Sequence, residues 1–133
     1  MKTKLLILVI FTMLFAVNAF AQGGKAEPNR IAFAKGKSSA TKTGSLKSGQ
    51  TYEFVFGAKA GQKVKIKIVS TVPKGKFHYF SLLGDGFDFA TEYDTNYSYE
   101  FTAPETGDYF LNVNFNPTAK VTSGKFSLTL TIR

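Results

Sequence analysis

Few side chains in this sequence could do chemistry, and their surroundings narrow what that chemistry is. The one histidine, His78, stands in Lys76-Phe77-His78-Tyr79-Phe80-Ser81 among aromatic residues. An imidazole in such a run is more readily a sheet residue than a general base, and no Gly-x-Ser-x-Gly elbow accompanies it. A Ser/His/Asp hydrolase is therefore not expected. Cysteine is missing from the chain, which excludes disulfides, thiolate catalysis, Cys-ligated metals and lipidation at an exported cysteine. Asp85, Asp88, Glu92 and Asp94 crowd the stretch from Gly84 to Thr95. They could offer oxygens to Ca²⁺, but their spacing is not that of a helix-loop-helix calcium loop. Nor does a loop fix two carboxylates at the separation a glycosidase needs. No metal and no cofactor is implied, and the expected class is non-enzymatic.

Charge is the stronger signal. The chain carries 17 Lys and Arg against 9 Asp and Glu. From Lys25 to Lys76 there are twelve basic residues against Glu27 and Glu53, and from Phe77 to Leu111 seven carboxylates with no Lys or Arg. If the fold keeps these blocks apart, one flank is basic and steers an anionic partner. The plainer reading of any single lysine is a solubilising residue on an outward strand face. Lysines mixed with Tyr52, Phe54, Phe56 and Tyr79 also resemble a single-strand nucleic-acid surface. Alternation turns most of these rings inward, away from the lysines on the same strands, so no nucleic-acid partner is expected.

The elements that must position these groups begin after an export signal. Lys2 and Lys4 form a basic start, Leu5 to Val17 is almost continuously apolar, and Ala19-Phe20-Ala21 presents small residues where a signal peptidase cuts. Cleavage is expected after Ala21, with no membrane attachment afterwards, because the apolar run is short for a spanning helix. The product, Gln22 to Arg133, has 112 residues and a net charge of +6. That length suits one domain able to bury about 60 to 65% of its unfolded surface. Residues 22–29, with Gly23-Gly24 and Pro28, read as a flexible leader, and residues 30–133 as the folded domain in a periplasmic or secreted protein.

Within that domain the apolar period is two throughout. Tyr52, Phe54, Phe56 and Ala58 alternate along Thr51 to Ala58, and Val64, Ile66 and Ile68 alternate with Lys63, Lys65 and Lys67. Ala60-Gly61-Gln62 between them predicts a tight turn joining two neighbouring antiparallel strands. Ile31 and Phe33 predict a short strand, Ser38 to Leu46 an edge strand, and Lys76 to Leu83 a fifth strand. Tyr97, Tyr99 and Phe101 predict another. Tyr109 to Phe115 and Phe126 to Ile132 follow, separated by the loop Asn116 to Lys120 that runs on to Gly124. Gly84 to Thr95 has no clear period. About eight strands at this spacing, with no helical period, predict an all-β antiparallel sandwich.

Three stretches, RIAFAKGKSSA, TYEFVFGAKAGQKVKI and FTAPETGDYFLNV, together resemble the periplasmic inhibitors of g-type lysozyme, the PliG family. Phe33-Ala34-Lys35-Gly36, Ser38-Ser39-Ala40, Gly44, Tyr52, Phe54, Ala58-Lys59 and Gly61-Gln62-Lys63-Val64 carry the resemblance, with Pro104, Gly107, Tyr109 and Leu111 in register later. Similar strand and turn phrases occur in bacterial pre-peptidase C-terminal domains, which are small secreted sandwiches. The resemblance implies a β-sandwich that lays loops into the substrate cleft of a lysozyme, with g-type lysozyme as partner. It places the binding residues at Lys47, Tyr52, Asn116 and Lys120. Lys120 stands where the resemblance leads one to expect an arginine, and lysine lacks the planar fork that grips a carboxylate through two hydrogen bonds. The alternative it leaves is a secreted carbohydrate-binding or accessory module.

Overall fold

The structure, a computed structural model, describes residues 29–84, 87–89 and 97–133. The expected signal segment and residues 22–28 of the leader lie outside them, as do Asp85 and Ala90 to Asn96. Every regular element among the described residues is a strand. One sheet has the order β1 (Asn29–Arg30), β3 (Thr51–Ala58), β9 (Gly107–Phe115), β6 (His78–Gly84) and β7 (Phe87–Phe89). The other runs β2 (Ser39–Lys47), β10 (Ser123–Ile132) and β4 (Lys63–Val72), whose far edge is shared by β8 (Ser98–Thr102) and β5 (Lys74–Gly75). All pairings are antiparallel except β1 with β3. Three of these ten strands are only two or three residues long, so the sandwich of about eight strands that the spacing predicts is what forms.

The predicted hairpin is a correction. β3 and β4 do not pair; they lie in opposite sheets, β3 bonded to β9 and β4 to β10 and β8. The turn between them is tight, with Gly61 at φ +89° and Gln62 N–H donating to the Lys59 carbonyl at 3.0 Å. Lys59 N–H donates to Gln62 Oε1 within the turn at 2.7 Å, and two further groups bond sideways to the segment before β9. Gly61 N–H reaches the Ala103 carbonyl at 2.9 Å, and Ala60 N–H reaches Thr106 Oγ1 at 2.9 Å. Period-two patterning fixes which face of each strand is oily, but two strands with oily faces can lie edge to edge in one sheet or face to face across a core. Here they meet face to face.

Between the sheets lie Phe54, Phe56, Phe80, Leu111 and Val113 from one side and Val64, Ile66, Phe126, Leu128 and Leu130 from the other, all buried. The strand predicted at Ile31 and Phe33 is displaced. The paired residues are Asn29 and Arg30, while Ile31 is buried with its N–H on the Val55 carbonyl at 2.8 Å, and Phe33 packs on the core. β2 is an edge strand, as its polar composition predicts, and half-buried Lys42 on its inner side discourages a further strand from adding there.

The end of the sandwich near Pro104 is tied by one tyrosine. Tyr109 is 1% exposed, and its hydroxyl donates to the Glu105 carbonyl at 2.6 Å. Its ring stacks on Phe56 with centroids 5.6 Å apart and covers Gly84, where any Cβ would lie 2.5 Å from a ring carbon. A hydroxyl bonded to backbone four residues upstream holds the corner shut, and this accounts for the Pro-x-x-Gly-x-Tyr phrase in the sequence.

Candidate functional site

The opposite end carries the turn between β2 and β3 and the loop from Asn116 to Gly124. β2 passes into β3 through a turn closed by Gln50 N–H to the Lys47 carbonyl (3.1 Å) and Lys47 N–H to Gln50 Oε1 (2.9 Å), with Gly49 at φ +78°. Only glycine adopts that backbone without strain. The β9 to β10 loop folds on itself as a second turn. There Thr118 N–H donates to the Val121 carbonyl at 2.9 Å and Val121 N–H to Thr118 Oγ1 at 3.0 Å, which leaves Lys120 at the tip.

Two contacts join these turns. Ser48 N–H donates to the Thr122 carbonyl at 3.0 Å, and Ser48 Oγ reaches the same oxygen at 3.3 Å. Lys47 pairs with Ser123 in the β2–β10 ladder, and Thr51 Oγ1 donates to Asn114 Oδ1 at 2.9 Å in the β3–β9 ladder. Asn116 N–H donates to the Phe77 carbonyl at 2.7 Å, so the loop is also pinned to the start of β6. Lys47, Tyr52, Asn116 and Lys120 are thus brought to one end of the molecule. Lys47, Asn116 and Lys120 are exposed. Tyr52 is half-buried, stacked on Phe54 at 4.8 Å and edge-on to Phe126 at 5.9 Å, so its ring forms part of the core wall beneath the turn. Gly44 leaves room for this: a Cβ there would lie 2.7 Å from the Phe126 ring and 3.4 Å from Tyr52.

Sequence reasoning reads Ser48-Gly49-Gln50 as a turn but misses the bond from Ser48 to Thr122, and it misses Thr118 and Val121, which build the site without being obvious contacts. A serine before glycine and a threonine three residues before Val121 are side-chain-to-backbone turn signals. Val121, half-buried against the core, is the apolar anchor in an otherwise polar loop.

Below this end sits a buried polar cluster. Ser70 and His78 are 3% and 1% exposed. Ser70 Oγ accepts the N–H groups of Phe77 (3.0 Å) and His78 (3.1 Å), which leaves its own proton for His78 Nδ1 at 2.8 Å. His78 Nε2–H then donates to the Gly124 carbonyl at 3.2 Å, so the ring is the neutral Nε2–H tautomer. Burial lowers its pKa from 6.5, and the Gly124 carbonyl offsets this in part. A serine hydroxyl that donates to an imidazole resembles a nucleophile with its base. In this cluster the oxygen is already occupied by two backbone donors and closed from solvent, so the pair stitches β4, β6 and β10 together. Among the described residues no three His, Asp or Glu side chains converge to hold a metal. The side chains of Asp85, Asp88, Glu92 and Asp94 fall outside what is described.

Fold and site together define a small all-β sandwich whose two joined turns at one end each carry an exposed lysine. No family model matches the chain, and no curated protein matches it in sequence. Solved structures do match. Salmonella Typhimurium PliG, a periplasmic lysozyme inhibitor of g-type lysozyme, is 27% identical with a TM-score of 0.61, over 82% of this chain and 100% of that one. A mutant of Escherichia coli PliG, described in the same words, is 26% identical with a TM-score of 0.61, over 81% and 100%. The pre-peptidase C-terminal domain of a Bacillus anthracis collagenase is 20% identical with a TM-score of 0.56, over 84% and 100%, a likeness of fold. The sequence resemblance to PliG inhibitors and to pre-peptidase sandwiches is thus matched in three dimensions.

Proposed function

We propose that this protein is an exported, non-enzymatic inhibitor of g-type lysozyme that sets the 47–50 and 116–122 turns into the enzyme's substrate cleft. The observation that carries the reading is the Ser48–Thr122 junction. It makes two turns distant in sequence into one projection with a lysine on each. Lysozyme clefts carry catalytic carboxylates, and a cation brought to a partly desolvated acid gains more than it would in water. Lys47 and Lys120 supply the cations, Asn116 a hydrogen-bonding amide, and Tyr52 a ring that fixes the turn and offers its open edge. The likeness to two PliG inhibitors over their full length supports the same reading, and with it a periplasmic location. No helix among the described residues is long and apolar enough to cross a membrane.

The test is a cell-wall clearing assay with the purified protein. Inhibition of a g-type lysozyme, with a hen-type enzyme largely untouched, is the expected result. Lys120→Glu places a carboxylate against carboxylates and weakens inhibition about tenfold or more; unchanged inhibition would remove Lys120 from the site. No inhibition by the unmodified protein at micromolar concentration overturns the proposal and leaves the accessory-module reading.

A further inference from the structure

A second charged surface lies away from the loop end. On the outer face of the β2–β10–β4–β8 sheet, Lys63, Lys65 and Lys67 form a row along β4, beside Thr129 and Thr131 of β10 and close to Arg133. These residues line an open groove of ≈ 480 Å³. Alternate residues of a strand are about 6.6 Å apart, so the row sets ammonium groups at a regular interval. One carboxylate, Glu100, shares the groove. It is the register partner of Lys65, yet Arg30–Asp108 is the one ion pair among the described residues. The flanking hydroxyls pair across the strands, with Ser39 Oγ and Thr131 Oγ1 at 3.1 Å and Thr41 Oγ1 and Thr129 Oγ1 at 3.2 Å.

We infer that this groove binds an acidic polysaccharide, with the lysine row on its carboxylates and the Ser/Thr hydroxyls on its sugar hydroxyls. Charge complementarity selects a polyanion. The aromatic residues of β8, Tyr99 and Phe101, pack toward the core and leave the face without a platform on which bases could stack, which disfavours single-stranded nucleic acid. Among the described residues of this sheet the exposed large apolar side chains are Val69 and Val72, both on β4, too little to enter a bilayer. A hydroxyl-rich face with regularly spaced cations suits a hydroxyl-rich polymer with regularly spaced anions.

Isothermal titration of the purified protein with a galacturonic acid oligosaccharide tests this. Binding is expected at about 50 mM salt and should fall steeply by about 300 mM, where screening is stronger. The methyl-esterified oligosaccharide, with the same sugars and no charge, should not bind. The triple variant Lys63→Gln, Lys65→Gln, Lys67→Gln should lose about tenfold or more in affinity while still inhibiting lysozyme. The variant Lys47→Gln, Lys74→Gln, Lys120→Gln removes the same charge from the loop end and should keep glycan binding. No binding at low salt, equal binding of the ester, equal loss in the two triple variants, or tighter binding of charge-matched single-stranded DNA through the same lysines would each overturn the inference. Because the two triple variants separate the surfaces, failure here leaves the lysozyme reading standing, and the reverse holds.

Discussion

The two ends of the sandwich are built on different physics. At the Pro104 end a single aromatic residue closes the corner: Tyr109 is buried, stacked and bonded to backbone four residues upstream. At the loop end the fixed part lies inside, in the Ser70–His78–Gly124 cluster and the Tyr52, Phe54 and Phe126 rings. The turns above it are held by a few exposed hydrogen bonds. One end is a corner that only has to stay shut. The other sets a rigid floor beneath adaptable turns, as a projection meant to fit a partner's groove would require.

The largest effect that sharpens this contrast should come from the floor. Ser70→Ala leaves two backbone N–H groups and His78 Nδ1 without their partner in a dry site. We expect a loss of about 2–4 kcal/mol in urea unfolding, together with weaker inhibition as the 116–122 loop loses its base. Tyr109→Phe should cost about 1–2 kcal/mol through the corner hydroxyl and leave inhibition unchanged. If both variants weaken inhibition in proportion to stability, the two ends are not separable.

Gly49→Ala is the next test. Nothing lies within 4 Å of a Cβ there, so the cost is backbone strain alone at φ +78°. We expect about 1 kcal/mol in stability and a larger proportional effect on inhibition, because the strain falls on the projecting turn.

The smallest effect is a pH dependence. Burial holds the His78 imidazole below its ordinary 6.5, so the unfolded chain takes up a proton first as the pH falls. Stability from this group is complete above about pH 6.5 and drains away below it, until the folded form also protonates. Unfolding midpoints measured from pH 7.5 to pH 5 should decline for the native protein. His78→Gln, which cannot titrate, should flatten the profile, and an equally steep decline in that variant would assign the dependence to other groups.

Much of this was legible in the residues. Alternation along Tyr109 to Phe115 and Phe126 to Ile132 fixed the inward faces, because a strand buried on one side can place its side chains in only one way. Which sheet each strand joined was not legible. The Phe-rich face of β3 and the Val/Ile face of β4 suit either a shared sheet or opposite walls, and the turn between them is equally short in both cases. At the proposed site Lys47, Tyr52, Asn116 and Lys120 came from the resemblance and not from residue type, whereas Ser48 and Thr122, which join the two turns, are ordinary loop residues until the chain is folded. His78 read as a sheet residue, which it is, but its Ser70 partner came from a different strand and carried no signal of its own.

One small element has a consequence for handling the protein. β1 adds just two residues to the open side of β3, secured by the Ile31 amide and by a forked Arg30–Asp108 contact of 2.7 and 3.0 Å. Asp108 gains acidity from that guanidinium. Detach this cover and a phenylalanine-rich strand shows its unpaired amides to any neighbouring molecule. Because the fork is half exposed, concentrated salt loosens it, so brine meant to keep the protein dispersed would instead favour strand-to-strand clumping.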